Sequence, residues 1–232
     1  IVWAFIQPIV TICVYWFVFG LALRNGADRG VPFVLWLVAG LVPWFFIQEG
    51  LTGGTASLLE YNYLVKKVVF NIRILPVVKV FSAVFVHCFF IVIILVIYTC
   101  MGYPPDRYAL QLIYYSFCTF MLILGITYLT SSVVVFFRDL MQMINIALQV
   151  GVWVTPIMWN FSDLGLTGIL TAILKLNPVF YIVQGYRDSL IDKVGIWEHP
   201  VLTAYFWAFT VIVFILGTRL FKKLQVHFAD VL

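Results

Sequence analysis

Asp, Glu, Lys and Arg are absent from six long stretches of this chain, residues 1–23, 30–48, 80–105, 108–137, 140–162 and 199–218. A helix needs about 20 apolar residues to cross the hydrocarbon layer of a bilayer, and each stretch supplies roughly that number or more. With 64% hydrophobic residues, 10% charged residues and a mean hydropathy of +1.07, the chain has too little polar surface to clothe a soluble core. A soluble fold is excluded. Backbone groups in lipid must pair within the protein, and long continuous apolar runs do this as helices, whereas a barrel shows short alternating strands.

The expected fold is therefore an all-α integral membrane protein forming one transmembrane domain over residues 1–232, with spans at about 3–23, 33–51, 75–101, 109–137, 140–159 and 200–220. Six spans put both chain ends on one side. That side carries eight basic residues (Lys66, Lys67, Arg73, Lys79, Arg138, Arg219, Lys222 and Lys223). The other carries six (Arg24, Arg29, Arg107, Lys175, Arg187 and Lys193), diluted by Asp28, Asp106, Asp163, Asp188, Asp192 and Glu198. The excess of basic charge places both ends in the cytoplasm. The chain starts at Ile1 with Trp3 already inside the first apolar run, so a segment upstream is expected. No cleavable leader pattern precedes the run, which reads as a permanent anchor.

Two connections stand out. Between Gln48 and Lys79 the chain becomes amphipathic: Thr52, Gly53, Gly54, Thr55 and Ser57 are expected to loosen the end of the second span. Leu58, Leu59, Tyr61, Leu64, Val65 and Val68 then recur at helical spacing. The segment at about 58–70 is either an interfacial helix held by lipid headgroups or a docking surface for a cytoplasmic partner. The fifth connection holds two apolar stretches, 164–174 and 176–186, each too short to cross and separated by Asn177–Pro178. Two half-length helices and a turn predict a re-entrant hairpin at about 164–193 that dips into the outer leaflet, the alternative being two helices lying flat on the surface. Arg138 and Asp139 separate the fourth and fifth spans, marking either the water boundary or an inner gate.

The chemistry that is missing narrows the function. Ion-coupled transport needs ionisable groups deep in the membrane, and the runs hold little beyond Glu49 near a span end and the lone His87, a residue type more often hydrogen-bonded to a neighbouring helix than carrying protons. No HExxH, GxSxG or GxxxxGK[ST] pattern is present, so no catalytic residues are assigned and any ATP hydrolysis belongs to another polypeptide. Cys13, Cys88, Cys100 and Cys118 lack metal-ligand spacing and read as packing residues; no metal or nucleic-acid partner is expected. Aromatic rings are abundant at 18% of residues, and membrane-interface belts and lipid-facing Phe account for many of them. Others are candidates to line a path, since aromatic faces stack on sugar rings. Phe5, Ile12, Trp16 and Phe19 share a face at α-helical periodicity, and Trp36, Trp44, Phe45 and Phe46 cluster around Pro43. Phe5, Tyr15, Trp16, Phe19, Trp44 and Phe45 are the proposed channel-lining rings.

Several segments, in order, resemble the membrane subunits of type-2 ABC exporters of polysaccharides. These are Val14-Tyr15-Trp16-Phe17-Val18-Phe19-Gly20, Gly30-Val31-Pro32-Phe33, and the run from Leu37 to Phe46. Asn62-Tyr63-Leu64-Val65-Lys66-Lys67 with Phe70 and Leu75-Pro76, then Phe137-Arg138-Asp139, and Leu176-Asn177-Pro178 with Tyr181, Gly185, Tyr186 and Arg187 continue the likeness. It covers essentially the whole chain and is nearest to the permeases of wall teichoic acid exporters of Gram-positive bacteria. Asn71 departs from the family pattern, which has Pro there.

The resemblance implies a homodimer in the cytoplasmic membrane, bound to two copies of a separate ATPase that holds ATP and Mg, this chain binding no cofactor. It implies that Glu60, Tyr61, Asn62, Leu64, Val65 and Lys66 belong to a cytoplasmic coupling helix seated in the ATPase. It also implies that Asn177, Pro178, Tyr181 and Arg187 form an outer re-entrant hairpin. The implied cargo is a polymer on polyprenyl diphosphate, with teichoic acid as the main expectation and O-antigen or capsular polysaccharide as the alternative. Lys66, Lys67, Arg73 and Arg138 near the inner mouth are then its diphosphate partners. The rival from another class is a membrane scaffold for cell-wall enzymes that moves nothing.

Overall fold

The computed structural model describes residues 2–22, 31–65, 71–159 and 168–231. The α-helices among these residues are α1 (Val2–Tyr15), α2 (Phe33–Glu60), α3 (Asn62–Val65), α4 (Ile74–Cys100), α5 (Gln111–Val134), α6 (Leu140–Val154), α7 (Ile169–Lys175), α8 (Pro178–Arg187), α9 (Pro200–Leu224) and α10 (Phe228–Val231). Lys66, Lys67, Val68 and Phe70 of the amphipathic segment lie outside the described residues, as does the stretch 160–167 that begins the expected hairpin.

Four helical stretches among the described residues are long and apolar enough to cross a bilayer: Phe33–Glu60, Ile74–Cys100, Arg107–Val134 and Pro200–His227. Two other expected spans are shorter as α-helices. α1 has 14 residues and passes into a π-helical turn at Trp16–Ala22. A π turn sweeps a smaller angle per residue than an α turn, so Phe19 is rotated away from the face that Phe5 and Ile12 share on α1. α6 has 15 residues, a rise of roughly 22 Å. It stops at Val154 because Pro156 lacks a donor and disfavours helical backbone at Thr155.

Gly53 and Gly54 do not loosen α2, which runs unbroken through them to Glu60. For Gly54 and Gly50 the reason is what α5 brings beside the helix. A Cβ on Gly54 would overlap the Thr127 side chain, and one on Gly50 would come within 3.1 Å of Ile123. The Thr55 and Thr130 hydroxyls stand 2.7 Å apart beside this crossing. Small residues and hydroxyl pairs are how helices approach one another in a membrane, where no water-driven force brings them together.

The chain divides into two compact units, each drawing on segments of the long helices. The first comprises Ile1–Phe45, Val86–Ser116 and Val152–Thr203, and the second Phe46–Phe85, Phe117–Gly151 and Ala204–Leu232. In the first, Leu35, Leu37, Leu41, Phe90, Ile94, Tyr98, Tyr115 and Tyr186 are buried, and the Tyr98 hydroxyl donates to the Leu35 carbonyl at 2.9 Å. In the second, Leu58, Leu75, Val135, Phe221 and Phe228 form a core cluster, joined by Tyr61, Leu64, Ile72, Tyr128 and Leu224.

Candidate functional site

The chain-breaking Pro156 leaves carbonyls beyond the end of α6 with no helical partner. Arg187, at the end of α8, supplies the donors: its Nη1 bonds the Pro156 carbonyl at 2.7 Å and its Nη2 the Ile157 carbonyl at 2.9 Å. The guanidinium lies over the Trp36 ring, 3.5 Å from its centre. Gly40 makes the approach possible, since a Cβ there would meet Arg187 Nη2 at 3.1 Å. Arg187 is only 4% exposed, so this cation is a buried strut holding irregular backbone.

The turn before α8 is tied to the same place. Asn177 caps α8 by accepting from the Val179 amide at 3.0 Å, with Pro178 in the first helical turn, and its side-chain amide donates to the Thr155 hydroxyl at 2.9 Å. α8 itself buries Phe180, Tyr181, Ile182, Val183, Gly185, Tyr186 and Arg187, nearly its whole circumference. A helix buried all round is enclosed by protein, unlike one lying flat with a wet face.

Two hydroxyl networks hold α8 to α5. Tyr181 Oη is 3.2 Å from Tyr114 Oη and 3.0 Å from Thr203 Oγ1. Tyr186 Oη is 2.8 Å from His87 Nε2 and 2.8 Å from Ser116 Oγ, and Ser116 in turn donates to the Leu112 carbonyl at 2.6 Å. His87 thus bonds across helices. Beyond α8, Asp188 is buried and lies 3.6 Å from His199 Nε2, with the Gln184 amide donating to it at 2.8 Å. Burial raises its carboxyl to about 6, while Gln184 and His199 pull the other way. Asp106 caps the turn before α5 and pairs with Lys193 at 2.9 Å, which holds its carboxyl below the usual carboxylate range.

The rings assigned to a path are distributed among several packing contacts. Phe5 packs edge-on against Phe89 at 4.6 Å, and Phe45 lies 6.2 Å from Phe90. Tyr15 and Phe19 both pack on Trp153, at 6.5 and 6.4 Å. Trp44 is 5% exposed and belongs to the core, whereas Trp16 is 43% exposed. Of the proposed rings, Trp16 alone is classed as exposed.

In the second unit the amphipathic segment splits by face. Tyr61 and Leu64 join the cluster around Leu58 and Phe221, whereas Glu60, Asn62 and Tyr63 are exposed. Glu60 pairs with Lys79 on α4, and the Lys79 ammonium also sits 5.0 Å from the centre of the Tyr61 ring. Lys66 and Lys67 fall outside the described residues, and Arg138 is exposed in the turn between α5 and α6. Arg73, exposed just before α4, instead joins residues that the sequence did not single out. A pocket of about 240 Å³ is lined by Arg73, Tyr128, Thr218, Arg219, Phe221 and Lys222. The signal available in the sequence was the three-residue spacing of Arg219 and Lys222, which puts them on one face of a helix end.

Four long apolar helical stretches with few charges among the described residues, and a buried cation bracing irregular backbone, define an integral membrane protein. Its family follows from comparison: residues 1–191 match the model for ABC-2 type transporters, and the chain belongs to that family. It is similar to the O-antigen export system permease protein RfbA of Klebsiella pneumoniae, 24% identical over 233 residues, 99% of this chain and 86% of that protein. A protein of the same name from Myxococcus xanthus is 21% identical over 228 residues, 98% of this chain and 86% of its own length.

Proposed function

We propose that this chain is the transmembrane subunit of an ATP-driven exporter that carries a polysaccharide on polyprenyl diphosphate across the cytoplasmic membrane. The observation that carries the reading is similarity over 98–99% of the chain to permeases of O-antigen export, within the ABC-2 family. O-antigen-type polysaccharide is accordingly the first cargo proposed. Wall teichoic acid is the second, supported by the segment likeness running from Val14 to Arg187.

In this reading two copies of the chain face each other, both ends of each chain are cytoplasmic, and each copy receives a separate ATPase at residues 58–70. The exposed Glu60, Asn62 and Tyr63 meet the ATPase, while Tyr61 and Leu64 transmit its movement into the helix cluster. α7 and α8 form the re-entrant hairpin, a role supported by the near-complete burial of α8 and by Asn177 and Arg187 bracing the end of α6. Because a ligand shifts a conformational equilibrium only by its differential affinity, ATP must favour the closed ATPase pair, and closure opens the path between the two chains. The diphosphate enters from the inner leaflet near Lys66, Lys67, Arg73 and Arg138, and exposed rings such as Trp16 meet the sugars.

The test is mass spectrometry of the complex purified gently from its native membrane, reading proteins and lipid-linked glycans together. A separate ATPase with a polyprenyl-linked polysaccharide supports the reading, and the sugar composition decides between O-antigen and teichoic acid. Intact protein at good yield with neither partner would overturn it in favour of a scaffold.

A further inference from the structure

The pocket in the second unit has the composition of an anion site. Arg73, Arg219 and Lys222 contribute three cations to it, and no carboxylate is among its lining residues. Arg73 is held in place: its Nε donates to Gln225 Oε1 at 2.9 Å, and its carbonyl accepts from the Tyr128 hydroxyl at 3.2 Å. Phe221 packs edge-on against Tyr128 with ring centres 5.5 Å apart, and both rings line the pocket beside the cations. Thr218 and Tyr128 add hydroxyls to the lining. Three like charges brought together repel unless an anion joins them, and Arg is suited to bidentate contact with phosphate oxygens.

The surroundings specify what carries the anion. From Arg73 an exposed apolar ladder runs along α4 through Ile74, Val78, Phe81 and Phe85. Another on α9 runs through Ile212, Ile215 and Leu216 towards Arg219 and Lys222. Both ladders end at the pocket, so hydrocarbon lies on one side of the cations and the chain's charged end on the other. A soluble anion has no use for the ladders, and an uncharged lipid has no use for the cations.

We propose that this pocket is a binding site for a phosphate borne on a lipid, the phosphate held by Arg73, Arg219 and Lys222 and the hydrocarbon lying along α4 and α9. The lipid is either an anionic phospholipid of the bulk membrane or the diphosphate carrier of the cargo. The carrier alternative rests on the exporter reading; the site itself does not. Arg138, which is not among the lining residues, belongs to no part of it.

The experiment compares purified wild-type complex with Arg219→Gln/Lys222→Gln, each reconstituted in phosphatidylcholine vesicles doped with phosphatidylglycerol, with undecaprenyl diphosphate or with both. Native mass spectrometry then counts the lipids retained on the permease. Losing two charge-assisted contacts should weaken retention of the phosphate-bearing lipid about tenfold or more. The charge-preserving Arg219→Lys/Lys222→Arg should retain it. Lys222→Gln alone changes one exposed side chain and should shift retention in the same direction, which keeps the test valid if the double variant does not fold. Preference for undecaprenyl diphosphate when both are present identifies the carrier, and equal retention of the two identifies bulk phospholipid; either supports the site. Equal retention by wild type and the glutamine variants overturns it, whether or not an ATPase co-purifies. Loss of the exporter reading would appear separately, as absence of an ATPase from a preparation in which the difference in lipid retention persists.

Discussion

The Arg187 guanidinium lies 3.5 Å from the centre of the Trp36 ring while donating to two carbonyls at 2.7 and 2.9 Å, so one buried side chain closes the gap left where α6 ends. Replacing Arg187 with Met would leave those carbonyls without these donors inside the protein, at about 1–3 kcal/mol for each unsatisfied group. Arg187→Met is expected to lower the thermal unfolding midpoint of the purified protein by the equivalent of about 3 kcal/mol. Arg187→Lys keeps the charge but not the fork, and should recover only part of that. Trp36→Leu, which removes the cation–π contact, should cost about 1–2 kcal/mol. An Arg187→Met protein with an unchanged midpoint would refute the bracing role.

The approach of α9 to α5 in the second unit depends on Gly217. A Cβ on Gly217 would lie 2.6 Å from the Gly125 carbonyl oxygen, a backbone atom that cannot swing away, whereas one on Gly53 would meet nothing within 4 Å. Gly217→Ala should therefore destabilise the protein by roughly 2 kcal/mol or more through forced separation of α5 and α9. Gly53→Ala should be neutral or stabilise by up to about 1 kcal/mol through helix propensity. Expression level and unfolding midpoint measured side by side check the contrast; similar losses for both would mean that close packing is not what Gly217 provides.

Four of the expected spans were legible because absence of charge is a property of composition and survives any arrangement of neighbours. Their ends were less so. α2 was expected to weaken at Gly53–Gly54, but a glycine costs a helix only about 1 kcal/mol, and at Gly54 the missing Cβ leaves the room that Thr127 on α5 fills. That neighbour is some seventy residues away in sequence and leaves no local trace. The early end of α6 was written locally in Pro156, while the donor that satisfies it, Arg187, was visible only as a charge in a connecting segment. The turn at Asn177–Pro178 was readable because capping and helix initiation are local chemistry. The basic pocket was not, since Arg73, just before α4, and Lys222, near the end of α9, are far apart in sequence and meet only in the folded chain.

Asp188 gives the connection that follows α8 a pH response. Its carboxyl, raised by burial from 3.8 to about 6, binds a proton more readily in the folded than in the unfolded chain. Its contribution to stability is therefore fully present below about pH 4 and is lost as pH rises through 6, a difference of roughly 2–3 kcal/mol by linkage. Asp188→Asn keeps the shape without the charge. It should unfold at a higher temperature than wild type at pH 7.5, with the gap narrowing towards pH 5. His199, 3.6 Å away, pulls the Asp188 carboxyl in the opposite direction to burial and so offsets part of the effect. Repeating the comparison in His199→Asn should widen the gap. A difference between Asp188→Asn and wild type that does not vary with pH would exclude burial of the ionised carboxylate as its cause.

Glu60 offers the sharpest test of how an ATPase would drive this chain, because it is both exposed and paired with Lys79. A half-exposed ion pair is worth at most about 1 kcal/mol, so removing it should barely change stability. Its position at the junction of α2 and α3 gives it a different importance, since it ties the segment proposed to receive the ATPase to the first turns of α4. If the pair transmits movement, Glu60→Lys should cut substrate-stimulated ATP hydrolysis in the reconstituted complex severalfold, and exchange of both charges in Glu60→Lys/Lys79→Glu should restore most of it. If instead Glu60 touches the ATPase directly, the exchange will not restore it and co-purification of the ATPase will weaken in both variants. Unchanged hydrolysis and unchanged co-purification in Glu60→Lys would remove this residue from coupling altogether and shift attention to Asn62 and Tyr63, the other exposed residues among those described in the segment.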